Sequence, residues 1–326
     1  MKHSKWLGLI AATWIAGNAL ADDPAELTVG LITTTNEAET VKNWQPIFDD
    51  MSAALKMPVK VIAAKDYGQI VNAMKNGKVQ IAWLGQKSAL QAVVEANAEV
   101  FVHHLKADGT RGYTAMLLVN KVGDIKDLDH LLKSPGKYSY ASGKSSSTSG
   151  FLMPNYYIFT KNEIDPRKHF KRLDTGSHQD NFLAVANGKV DVATNNSDDM
   201  EDFKGKFPAE YSRVKVIWQS DPIGLDPMLY DKRLSSGLKQ RIQQFFLSYG
   251  KEASNRDQRK KLITAYDLAG FAKADNRLLR RIAELESFSE QYALMIDDKI
   301  PSDQKDARFK ELFRKANETN RLLGGG

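Results

Sequence analysis

The chain has 326 residues, 42% of them apolar, no cysteine, and 46 Lys and Arg against 40 Asp and Glu, a formal charge of +6. Without cysteine there is no disulfide framework, no thiol chemistry and no lipid attachment through a cysteine. Both signs of charge are mixed along the chain, so the mild positive balance carries no nucleic-acid footprint.

The N-terminus reads as a secretory leader. Lys2, His3 and Lys5 precede a mostly apolar run from Trp6 to Leu20, interrupted at Thr13, Gly17 and Asn18 among others, and the small residues Ala19 and Ala21 put cleavage after Ala21. That run is too short to span a membrane, and no later stretch has the roughly 18 uninterrupted apolar residues that a span requires. The remaining chain of about 305 residues is expected to diffuse freely in the periplasm. It is too long for one compact core and should form two lobes.

From Leu27 onward, strand-like and helical stretches alternate: residues 27–32, 37–55, 59–63, 66–76 and 79–83. The alternation predicts βαβ units and largely parallel sheets. Asp66 suits a helix cap, and Gly77 sits where a helix end takes a left-handed residue. Residues 76–82 return in similar form at 187–193, each copy behind a helical run and leading into a buried strand. Either each lobe holds one such unit, or two common helix-to-strand turns are alike by chance. In open α/β sheets ligands lie beyond the carboxyl ends of strands. The edges at 83–85 and 194–198 are therefore expected to face one another across a cleft that closes by hinge motion.

A strand-like run at 113–120, with Asp124 capping the next helix, and a return at 226–230 mark two crossings between lobes. The division is 22–117 with 225–326 for lobe 1 and 118–224 for lobe 2. Beyond Ser235 the chain turns helical, and Leu278, Ile282, Leu285, Phe288, Tyr292 and Met295 form one apolar stripe. It packs on its own lobe or pairs two copies in a homodimer.

Between a strand-like run at 138–141 and an apolar helix beginning near Phe151 lies a hydroxyl-rich turn, Ser142 to Gly150, with Ser145, Ser146, Ser147, Thr148 and Ser149 at its heart. Small hydroxyl residues at a helix start leave backbone N–H groups free at the positive end of the dipole. That is the chemistry of an anion seat; a plain helix cap with a flexible serine loop fits the same residues. A nucleotide P-loop would need glycine five residues before Gly143, where Tyr138 stands. His103, His104, His130, His169 and His178 lack zinc-site spacing, and there is no Gly-x-Ser-x-Gly elbow. No metal ligand, cofactor or catalytic residue follows, and no enzyme. His178, behind Gly176 and Ser177, either offers a ring N–H to an anion or caps a surface helix. Asp198 and Asp226 lie at the expected cleft edges, where acids beside an anion seat repel simple phosphate and favour a zwitterion with an ammonium end. Singly, each also reads as a turn or cap residue.

Together these residues resemble the phosphonate-binding proteins of bacterial ABC importers, and among them the 2-aminoethylphosphonate binders. The likeness is carried by Asp66 and Tyr67; by Ile81, Ala82, Trp83, Gly85 and Ser88; by Ala107, Asp108, Gly109, Gly112 and Tyr113; and by residues 147–151, 183–187 and 190–196. It weakens over the C-terminal helices. The resemblance implies a two-lobed α/β periplasmic binding protein fold of type II, with two crossover strands, plus C-terminal helices. It implies an inner-membrane ABC permease as partner and a small phosphonate as ligand. Phosphonate oxygens would be held by Ser147, Thr148, Ser149 and helix N–H groups, helped by Tyr67, Tyr113 and His178, while Asp198 and Asp226 meet the amine. Two positions depart from the pattern. Leu84 stands where close relatives have Tyr, and Asp198 where the aminoethylphosphonate binders have Glu, a carboxylate shorter by one carbon or roughly 1.5 Å. The expected ligand is 2-aminoethylphosphonate or a related aminoalkylphosphonate; phosphite, methylphosphonate or phosphate, or a sensing role beside a membrane receptor, are the alternatives.

Overall fold

The computed structural model describes residues 23–252 and 254–324, so the leader expected at residues 1–21 lies outside the described residues. The chain first winds β1 (Leu27–Ile32), α1 (Glu37–Leu55), β2 (Val59–Ala64), α2 (Tyr67–Lys75), β3 (Ile81–Trp83), α3 (Gln86–Glu95) and β4 (Ala98–Lys106). β2 and β3 flank β1 in parallel, as crossover helices between buried strands require. Asp66 caps α2 by accepting the Gly68 N–H, and Gly77 takes a left-handed φ of 70°.

β5 (Gly112–Tyr113) then leads to β6 (Ala115–Asn120), α4 (Leu128–Leu132), β7 (Ser139–Ser142), α5 (Pro166–His169), β8 (Arg172–Thr175), α6 (His178–Ala186), β9 (Val192–Asn196), α7 (Ser197–Lys206), α8 (Pro208–Arg213) and β10 (Val214–Gln219). β11 (Ile223–Gly224) returns to β12 (Pro227–Asp231), α9 (Ser236–Ser248), α10 (Arg256–Tyr266), β13 (Leu268–Lys273), α11 (Arg280–Ile296) and α12 (Ser302–Leu322).

Two sheets result, ordered β13-β4-β12-β3-β1-β2 and β10-β6-β9-β7-β8, and β5 pairs with β11 as an antiparallel ribbon on the two passages between them. The repeated segment occupies matching slots: β3 has an antiparallel neighbour in β12 and a parallel one in β1, and β9 has β6 and β7. Gly188 repeats the φ of 70° seen at Gly77. Each sheet buries both faces by the period-two rule. Val29, Ile81 and Trp83 pack with Trp44 and Phe48 under α1, while Ala82 and Leu84 pack with Ile70 and Leu229 on the other face.

Three expectations shift. Residues 115–117 pair with β9 and β10 in the second sheet, so the first crossing lies ahead of Ala115. Asp127, not Asp124, caps α4, accepting the His130 N–H at 2.8 Å, because it directly precedes the turn that buries Leu131; Asp124 pairs with Lys137. The C-terminal stripe splits: a 3₁₀ turn at Asn276–Leu279 resets the helical phase, so Leu279, Ile282 and Leu285 are buried while Phe288 and Met295 are more than half exposed. α11 touches lobe 2 through Phe288, whose ring lies 5.7 Å from that of Tyr156, and through Arg281, which donates to the Tyr157 hydroxyl at 2.9 Å.

The crossover ribbon has no room for a side chain at Gly112, where a Cβ would lie 2.3 Å from the Ile223 carbonyl oxygen. Gly112→Ala is expected to cost about 2 kcal/mol, read as a lower midpoint in urea denaturation.

Candidate functional site

The hydroxyl-rich turn takes its shape from one proline. Pro154 has no N–H, so the Gly150 carbonyl four residues earlier lacks its α-helical donor. The Gly143 N–H takes that oxygen at 2.8 Å, and the Ser147 Oγ accepts the Gly150 N–H at 3.0 Å. The helix therefore opens at Thr148, earlier than the apolar run suggested, and in wide π turns at Thr148–Leu152 and Asn155–Phe159. The two glycines touch at the waist of the loop: a Cβ on Gly143 would sit 2.9 Å from the Gly150 Cα. Ser147, Thr148 and Ser149 are all buried, and they line a cleft of about 810 Å³ between the lobes.

Several helix starts converge on this cleft. Tyr67 opens α2 behind Asp66, and His178 opens α6 behind a capping box of Ser177 and Asp180. α3 starts behind Gly85 with no side-chain cap, and its Lys87 N–H donates to the Thr148 Oγ1 at 2.9 Å across the cleft. His178 Nε2 lies 3.2 Å from the Ser149 Oγ, while its enclosed Nδ1 has no partner among the described residues. Burial lowers the His178 pKa, against a smaller pull from Asp199, so the ring stays neutral near pH 7.

The acids lie toward the other side. The Tyr113 hydroxyl reaches the Asp226 carboxyl at 3.4 Å. Asp198 is the second residue of α7, and its Oδ1 lies 2.8 Å from the Lys106 Nζ at the end of β4. Asp199 accepts from Thr34 at 2.7 Å and from Asn196 at 2.6 Å. All eight residues expected at a ligand site, Tyr67, Tyr113, Ser147, Thr148, Ser149, His178, Asp198 and Asp226, line this one cleft. Lys106, Thr34, Asp199 and Tyr266 line it too and were missed. The nearest signals were the turn after Lys106 and the second aspartate behind Asp198. Leu84 is fully buried in the core and lines none of the cleft.

The family model of the periplasmic substrate-binding protein of phosphonate ABC transporters matches residues 29–279. This chain belongs to that family. It is 36% identical over 296 residues to the phosphonates-binding periplasmic protein of Escherichia coli, covering 91% of this chain and 86% of that one. A solved binding protein component of the ABC phosphonate transporter of Pseudomonas aeruginosa is 34% identical with a TM-score of 0.83, over 93% of this chain and 99% of that one. PhnD1 of Prochlorococcus marinus, solved with methylphosphonate, shares the fold at 22% identity and a TM-score of 0.69, over 81% and 97% of the two chains. Members of the family are two-lobed substrate-binding components of transporters and not enzymes.

In this binding protein the Asp226 carboxyl stands out. Burial first, then the neighbouring charge of Asp198, pushes its pKa up to about 8, opposed by the Tyr113 hydroxyl. The Asp198 pKa is also raised by burial, with the Lys106 ion pair pulling the other way. Among the described residues no basic side chain pairs with Asp226. Between the ordinary carboxyl value of 3.8 and about 8, the folded chain keeps a proton on Asp226 that the unfolded chain has lost. Stability contributed by this group therefore falls as pH rises through that window. In ligand-free calorimetry, the melting temperature of the native chain should drop more between pH 5 and pH 8 than that of Asp226→Asn.

Proposed function

We propose that this protein captures an aminoalkylphosphonate in the periplasm, 2-aminoethylphosphonate being the simplest, and delivers it to the membrane permease of an ABC importer. The observation that carries this reading is Asp226, a half-buried carboxyl that lines the cleft and has no basic side chain paired with it among the described residues. It shares that cleft with a hydroxyl-lined helix start fit for an oxyanion. Family membership supports the phosphonate, and the leader-like residues 1–21 support export.

In this reading the phosphonate oxygens accept from the hydroxyls of Ser147, Thr148 and Ser149 and from the free N–H groups of the π turn. His178 acts through the Ser149 hydroxyl that it touches. Burial raises the pKa of Tyr67 and of Tyr113, so both phenols keep their protons; Tyr67 donates to the anion, and Tyr113, whose proton faces Asp226 in the ligand-free chain, turns to the anion once the ligand ammonium meets that carboxyl. Dipoles and neutral donors thus hold the phosphonate without a lysine or arginine. At the far end the ligand ammonium displaces the proton of Asp226 and supplies the missing charge. Inorganic phosphate offers nothing there and brings a like charge.

Calorimetric titration with 2-aminoethylphosphonate, methylphosphonate, phosphite and phosphate tests the reading. The amine-bearing ligand should bind at least tenfold more tightly than phosphate, about 1.4 kcal/mol, and phosphate binding as tightly would overturn it. Thr148→Ala should weaken every phosphonate roughly 10- to 150-fold, the effect of one buried hydrogen bond to a charged group. Asp226→Asn should weaken only amine-bearing ligands, and equal losses on methylphosphonate would sink the division of roles.

A further inference from the structure

The cleft holds two acids at its edges, yet they stand in different states. Among the described residues Asp226 has no basic partner, whereas Asp198 is already paired with Lys106, the two side chains being 14–16% exposed. The pair bridges the lobes: Lys106 ends β4 of the six-stranded sheet, and Asp198 follows β9 of the five-stranded one. Other bonds across the mouth are of another kind. Lys87 N–H to Thr148 Oγ1 has two neutral partners, Thr34 Oγ1 to Asp199 has one, and the Lys206–Glu39 pair is longer, at 3.6 Å, and far more exposed. Lys106–Asp198 is thus a shielded ion pair that joins the two lobes.

We propose that Lys106 determines specificity by standing in for a ligand ammonium at Asp198, so that the lobes close on phosphonates with or without an amine. The inference rests on the phosphonate reading above. Closing two lobes over a carboxylate that lacks a cation leaves a charge away from water with nothing to offset it. Lys106 brings that cation from the opposite lobe whatever the ligand carries. A ligand amine is then answered by Asp226 alone, and a ligand without one leaves Asp226 protonated and neutral. The site accepts both classes because its two acids are neutralised in two ways, one by a lysine and one by a proton.

The test compares the native chain, Lys106→Met and the double variant Lys106→Met/Asp198→Asn by calorimetry with methylphosphonate and 2-aminoethylphosphonate. Methionine keeps most of the apolar stem of lysine and loses the charge. Lys106→Met should weaken methylphosphonate about tenfold or more and 2-aminoethylphosphonate less than about threefold, because the ligand ammonium takes the place of the lysine. Adding Asp198→Asn should return methylphosphonate to within about threefold of the native chain, as removing both partners of a coupled pair does. Equal losses on both ligands, no loss on either, or no recovery in the double variant would overturn the inference. If the native chain binds neither phosphonate, the phosphonate reading itself fails. The lysine is then tested by small-angle scattering of ligand-free protein: Lys106→Met should be more open than the native chain, and equal radii of gyration would overturn its role.

Discussion

A carboxylate cannot be shut away from water without something to meet its charge, and three neighbouring aspartates at this cleft meet that demand in three ways. Asp199 accepts hydrogen bonds from Thr34 and Asn196, Asp198 takes the Lys106 ammonium, and Asp226 keeps a proton. Two of these solutions join the lobes, because Thr34 and Lys106 belong to one lobe and Asp199 and Asp198 to the other. The cleft is therefore assembled by charge balance as much as by shape.

The fold makes such a meeting possible by sending helix starts to one place. The strands that end at Trp83 and Asn196 occupy equivalent slots in their sheets, so the helices that follow both point their N-termini at the gap. Partial positive charge and free N–H groups accumulate there with no basic side chain required. In the reading proposed above, a site for an anion can therefore also hold acids: its donors are dipoles and neutral hydroxyls, while the cleft-lining lysines Lys106 and Lys206 are paired with Asp198 and with Glu39 and Asp202.

Much of this was readable from the residues. The alternation from Leu27 to Trp83 announced parallel strands because strands buried on both faces are apolar throughout, and the recurrence at residues 187–193 pointed to a second copy of the same unit. The serine turn was visible, but its helix start was misjudged, although Pro154 lies four residues after Gly150 and could have shown which carbonyl would go begging. Asp127 was overlooked in favour of Asp124 because caps are decided by which turn becomes buried, and local sequence does not say. Lys106, Thr34 and Tyr266 lie in separate stretches of the chain and meet only once the sheets are assembled, so no spacing rule could have joined them to Asp198.

The packing of α11 bears on how this molecule moves. The β5–β11 ribbon is one joint between the lobes, and the contacts of Phe288 and Arg281 with Tyr156 and Tyr157 are another, with no residue of α11 lining the cleft. One joint alone would leave the lobes free to twist as well as to part. Two joints define an axis, and rotation about it is the single degree of freedom that keeps both intact. A rotation about that axis would carry Lys106 and Asp198 along one arc, so that the two would meet in the same register at every closure.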